Sequence, residues 1–225
     1  MNHESYSKIS KNVNSPAVTA KRAEQADILT EVLKLLSKQG SNYDACMKLL
    51  SHGYYNWLPD YFFDRPASSS GKYHPAFANT AHGLMLHSLA VARLADMMFG
   101  IYDEDQYNND IHNIVISAAW YHDMFKYGDP DEYTPGKFTV HEHPVLAAQF
   151  FQDPDVIMFC RDEFNLSQDD TNLISALIAT HMGPFTTNKY SQVVLGTPQT
   201  SLQRLLHVAD YLASRKENDV VKDVM

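Results

Sequence analysis

Two aspartates, Asp123 and Asp210, sit among apolar residues at helical spacing, and this constrains the chain more than any other feature. Asp210 follows Leu206 by four residues and lies beside Ala209 and three before Ala213. Asp123 follows His122 in the run Ala118-Ala119-Trp120-Tyr121-His122-Asp123. A carboxylate buried without a partner costs several kcal/mol or takes up a proton. Histidines repeat the pattern. His87 is three after Leu84 and four before Val91, His122 is four after Ala118 and three before Phe125, and His181 continues the line Ile174, Leu177, Ile178. Residues three and four apart share a helix face. Four helices therefore each carry a His or an Asp inward, and a shared cation is the simplest partner for all of them. Imidazole and carboxylate without thiolate suit Mn, Fe, Co, Ni, Zn or Mg, as one ion or two.

Apolar periodicity predicts helices over residues 18–39, 43–50, 82–99, 108–125, 144–151, 154–164, 168–182 and 200–216. Pro144 and Pro154 suit first turns, Ser167 and Asp170 read as a capping box, and Gly40 and Gly183-Pro184 as stops. Residues 54–66, aromatic and turn-rich, read as loop, as do 68–75 and 128–137. No alternating strand pattern runs beyond a few residues. The fold class is all-α, with a mobile arm over 1–17, helices and a loop over 18–66, a helical core over 67–217 and a tail over 218–225. The first helix could cover the core or serve a homo-oligomeric interface.

With 225 residues, 44% of them hydrophobic, the chain can bury a sizeable core. Its net charge of −9 disfavours general nucleic-acid binding, although a bound metal would reverse the local field for a small phosphorylated ligand. Cys46 and Cys160 form no CxxC pair and read as buried thiols in a reducing cytoplasm. No apolar run reaches the roughly 18 residues of a membrane span, and the first 16 residues lack a secretory apolar region. His3, His52 and His112 read as surface residues.

In order, "LHSLAVARLA" with His87, "AAWYHDMFKYG" with His122 and Asp123, and "LLHVADYLASR" with Asp210 resemble the His … His-Asp … Asp signature of the HD-domain superfamily of metal-dependent phosphohydrolases. "HEHPVLAAQF" around His143 and "LIATHMGPF" around His181 resemble the further histidines of its dinuclear members. The resemblance spans residues 81–215 and implies an HD-domain helical bundle with an N-terminal helical extension. It implies that His87, His122, Asp123 and Asp210 hold one metal, that His143 and His181 hold a second, and that Asp123 bridges them. His141 competes with His143 for that corner. The implied reaction is hydrolysis of a nucleotide or similar small phosphorylated molecule by a metal-activated water, with Asp123 and Lys126 as catalytic residues. Lys126, one helical turn past Asp123, is also open to the plainer reading of a solvated residue at a helix end.

Residues 68–75 resemble a stretch in one subset of HD-domain proteins, which makes Ser69, Ser70, Lys72 and His74 candidate substrate contacts. Arg65 and Arg215 are further phosphate candidates, and His207, three before Asp210, is a candidate to orient a ligand. Two other functions fit the same family: a diiron oxygenase with the same six ligands, and a nucleotide sensor without catalysis.

Overall fold

The computed structural model describes residues 20, 22–72, 74–101 and 108–216. The arm over 1–17 and the tail over 218–225 lie outside the described residues. Among the described residues the structure is helical, with no strand. The helices are α1 (Ala26–Lys34), α2 (Tyr43–Asn56), α3 (Asp60–Asp64), α4 (Gly83–Phe99), α5 (Asn109–Tyr121), α6 (His143–Gln152), α7 (Pro154–Phe159), α8 (Gln168–Ile178) and α9 (Ser201–Ala213).

Helices α4 and α5 form the centre. Every residue of α4 from Gly83 to Ala92 is buried, and so is every residue of α5 from His112 to Tyr121. The sequence predicts one buried stripe on each. They are instead buried around their girth, because neighbours flank them on several sides. α9 and α5 pack on α4, and α8 packs on both α6 and α5. A helix so enclosed has no polar face to keep. Buried residues from Leu29 to Ala213 form one continuous core, so the N-terminal helices share it with the rest. Leu29, Val32 and Leu36 of the first helical stretch point into this core.

Residues 54–66 depart from the expected loop. α2 continues to Asn56, and α3 buries Tyr61, Phe62 and Phe63. Aromatic rings of that size stabilise the chain far more when buried than in a surface loop. The stretch is clasped by buried Arg22. Its guanidinium donates to the carbonyls of Tyr55 and, at 2.9 Å, Leu58, and it packs over the Phe63 ring at 4.9 Å.

The expected capping box at Ser167 and Asp170 forms, and Thr200 with Gln203 makes a second one. Pro144 and Pro154 sit in first turns. His112 is buried, not a surface residue: its Nε2 lies 2.8 Å from Asp96 and its ring stacks on Phe99. His52 is half-buried against Trp57, Phe159 and Phe164, while His3 lies outside the described residues. Cys46 and Cys160 are free and buried.

Candidate metal centre

Three of the imidazoles belong to helix ends. The sequence predicts helix through residue 125, yet α5 stops at Tyr121 and residues 122–127 turn tightly. His122 Nδ1 takes the Ala119 carbonyl at 2.7 Å, the acceptor a continuing helix would give to the amide of Asp123. α8 likewise ends at Ile178 instead of 182, and His181 Nδ1 donates to the Ile178 carbonyl at 2.8 Å. At the start of α6, His143 Nδ1 donates to Val140 at 2.6 Å. All three rings use the carbonyl three residues back. That bond fixes the tautomer and leaves each Nε2 with its lone pair turned inward. His87 and Asp210 lie within α4 and α9 proper.

The two oxygens of Asp123 face different imidazoles. Oδ1 is 2.9 Å from His143 Nε2 and 3.4 Å from His181 Nε2. Oδ2 is 3.4 Å from His122 Nε2 and 3.7 Å from His87 Nε2. Asp210 Oδ1 closes the second side, 3.0 Å from His87 Nε2 and 3.8 Å from His122 Nε2. His87, His122, His143, His181 and Asp123 are at most 2% exposed. Three overlapping sets of these side chains could hold a cation: His87, His122 and Asp123; His122, His181 and Asp210; Asp123, His143 and His181.

Two observations test whether a cation fits. His122 Nε2 is buried with no hydrogen-bond partner. His143 Nε2 and His181 Nε2 face each other at 3.1 Å although both rings commit their Nδ1 protons elsewhere. Two acceptors so close repel unless a positive charge lies beside them; the Lys126 ammonium, 3.3 Å from His143 Nε2, is one such charge, and a metal ion would be another. The donor set fits a divalent ion.

The electrostatics agree. Burial works against the Asp123 charge, yet Lys126, His122 and His143 hold its carboxyl well below the usual range. Burial opposes the Asp210 charge too, but the His87 hydrogen bond and the nearby rings keep that carboxyl low. Burial and Lys126 push His143 down to about 4, and burial lowers His181. His122 goes the other way: Asp123 and Asp210 outweigh burial and raise it.

A cavity of about 480 Å³ adjoins the cluster, and Lys126 and Asp210 line it. Lys126 Nζ reaches Asp123 at 2.9 Å. His74, His141, His207 and Arg215 also line the cavity. His74 stacks edge-on against His87 at 5.4 Å, and burial with the His87 neighbour pushes it down to about 3. Of the two rivals before α6, His143 joins the cluster. His141 Nε2 instead donates to the Thr186 carbonyl at 3.2 Å. His207 Nδ1 donates to the His181 carbonyl at 2.8 Å and so braces the turn that carries it.

Of the expected substrate loop, only His74 lines the cavity among the described residues. Ser69, Ser70 and Lys72 are exposed and outside that lining. The hydroxyls fold the loop instead: Ser68 Oγ accepts from the Gly71 amide at 3.3 Å, and Ser69 Oγ meets Thr139 at 3.3 Å. Arg65 packs over the Tyr133 ring at 5.5 Å, away from the cavity lining. Met182, Phe185, Thr187, Asn188, Tyr211 and Ser214 line the cavity without having been singled out by sequence. Tyr211 and Ser214 had a signal, since Ser214 is one turn beyond Asp210 and Tyr211 one turn beyond His207. The residues from Met182 to Asn188 follow the end of α8 and carried none.

An all-helical bundle that gathers four histidines and two aspartates beside a cavity places the protein in the class of helical folds whose side chains could hold a metal ion. The HD domain family matches residues 85–215, more than half the chain, and the protein belongs to that family, whose members are generally metal-dependent phosphohydrolases. No curated protein and no solved structure matches the chain. Among the described residues no helix is long and apolar enough to cross a membrane.

Proposed function

We propose that the protein is a metal-dependent phosphohydrolase acting on a nucleotide or a similar small phosphorylated molecule. The observation that carries this reading is the division of Asp123, with Oδ1 toward His143 and His181 and Oδ2 toward His87 and His122. One carboxylate shared between two imidazole pairs could serve both halves of a metal site. His87, His122 and Asp210 would hold one and His143 and His181 the other, with Asp123 common to both. A divalent ion held there would supply the Lewis-acid and nucleophile-activating chemistry of phosphate-ester hydrolysis.

The chain's own residues do the rest. Lys126 and Arg215 offer cationic donors to a phosphate in the cavity, and His74 offers a neutral imidazole beside His87. The cavity's size is that of a small-molecule site. The acidic overall charge supports a small substrate over a polymer of phosphates.

The test is product release from a panel of nucleoside monophosphates, triphosphates, cyclic nucleotides and dinucleoside polyphosphates. Mn, Co, Ni or Mg is added in turn, with a chelator control. Chelator-sensitive turnover of any member is expected. Metal-loaded protein that turns over none of them would overturn the reading and favour an oxygenase, which oxygen consumption with iron would reveal, or a sensor.

A further inference from the structure

Lys126 holds a position that the proposed metal chemistry also needs. Its ammonium lies 2.9 Å from Asp123 Oδ2, 3.1 Å from Asp123 Oδ1 and 3.3 Å from His143 Nε2. His143 commits its Nδ1 proton to the Val140 carbonyl. The neutral ring then has a single in-plane lone pair, on Nε2. That lone pair can accept an N–H from Lys126 or ligate a metal, but it cannot do both.

The other half of the cluster is contested only at the carboxylate it shares. Lys126 meets Asp123 Oδ2 there, while His87, His122 and Asp210 remain uncontested by it. The two halves are therefore unequal before any ligand arrives.

We propose that Lys126 is a tethered cation that competes with a metal ion for the Asp123–His143–His181 half, and that an anion entering the cavity relieves the competition by drawing the ammonium away. This rests on the metal reading above. The tether suits the task. Lys126 follows Asp123 by three residues in a tight turn, so its anchor stays close. Its side chain is 14% exposed and lines the cavity. The flexible four-carbon stem lets the ammonium rotate from the carboxylate toward the cavity. There phosphate oxygens replace the acceptors it leaves. Linkage makes the effect reciprocal: an anion that tightens the second ion is itself held more tightly when that ion is bound.

The experiment is equilibrium dialysis of the chelator-stripped full chain against Mn2+, with and without inorganic phosphate and corrected for Mn-phosphate in solution. It uses the wild type, Lys126→Met and Lys126→Gln, with far-UV circular dichroism to report folding. The wild type is expected to show one tight and one weaker class of Mn2+ site. Removing the charge should tighten the weaker class by about tenfold, within the usual span of coupling between sites. Phosphate should tighten that class in the wild type and do so less in the variants. A gain of affinity is not something a structurally damaged variant produces.

A weaker class that is unchanged or weakened in both variants overturns the proposal. So does phosphate tightening of equal size in wild type and variants. The phosphate arm on the wild type needs no variant, and no tightening there removes the anion's part. If the wild type binds no Mn2+ under any condition, the metal reading itself falls. If it binds two ions that ignore Lys126, only this inference falls.

Discussion

Removing the Asp123 carboxylate takes away the one side chain that faces both halves of the cluster. Asp123→Ala is expected to lower metal-dependent turnover by more than roughly 100-fold, since losing a mere supporting partner of a ligand already costs 10–100-fold. Helicity measured by circular dichroism should persist, and normal turnover would refute the assignment. His181→Ala removes an imidazole that faces the Oδ1 side, so on the proposed function elemental analysis should find one ion retained and the second weakened. Unchanged metal content would make His181 a substrate or proton-transfer residue in a mononuclear site. The thiols give an independent check on burial. Burial pushes Cys46 and Cys160 up to about 12, so at pH 8 both are neutral, and the thiolate is the reactive form. A disulfide-exchange reagent at pH 8 should modify neither in the folded chain and both after denaturation. Rapid modification of the native protein would contradict the packing. At this scale Asp123, Asp210, His87, His122 and His181 were legible because an Asp on an apolar helix face demands a partner, whereas His143 was legible only through the family resemblance. His112 was not, because its partner Asp96 belongs to the helix before it and no local spacing pairs them.

Helix ends, which periodicity locates poorly, are where the site is made. The sequence placed His122 and His181 inside helices predicted to run to 125 and 182, whereas both rings terminate their helices by taking the carbonyl three residues back. The apolar stripe continues through these turns and so conceals the break. Pro144, Pro154 and the Ser167–Asp170 capping box carry a local signal, and the helices start there as the sequence predicts. The aromatic run from 54 to 66 is helical against expectation because turn residues flank rings whose burial depends on distant partners such as Trp120, which meets Phe62 edge to face at 5.3 Å. The turn after His181 offers a test of how tightly this geometry is set. Gly183 has φ +60, and a Cβ there would sit 2.2 Å from the His207 ring. Gly183→Ala should therefore displace His207 and loosen the turn carrying His181. A loss of about 1–3 kcal/mol in urea denaturation is expected, typical of a residue forced into the left-handed region. A stability change within about 0.5 kcal/mol, the range of inert surface changes, would show that the turn adapts freely.

At the scale of the whole molecule, the all-helical architecture was legible and the cavity was not. Its wall over Phe185, Thr187 and Asn188 depends on where the chain passes after α8, and tertiary contacts decide that. The Thr186 carbonyl, for example, is held by His141 from before α6. The same long-range character makes the cluster a fastener for the fold. Its ligand-type side chains come from α4, the turn after α5, the start of α6, the turn after α8, and α9, so unfolding disperses them all. An ion bound only by the folded chain stabilises it by RT ln(1 + [L]/Kd), about 2.7 kcal/mol at a hundredfold excess over Kd. For a chain of this length, 1 kcal/mol moves the melting midpoint by about 2–4 °C. Adding Mn2+ to chelator-stripped protein should thus raise the midpoint by roughly 5–10 °C at that excess. The Asp123→Ala chain should respond far less, because its two halves no longer share a ligand. Equal midpoints for the stripped and Mn2+-loaded wild type would mean that no ion ties these segments together. An equal rise in Asp123→Ala would place the ion elsewhere on the molecule.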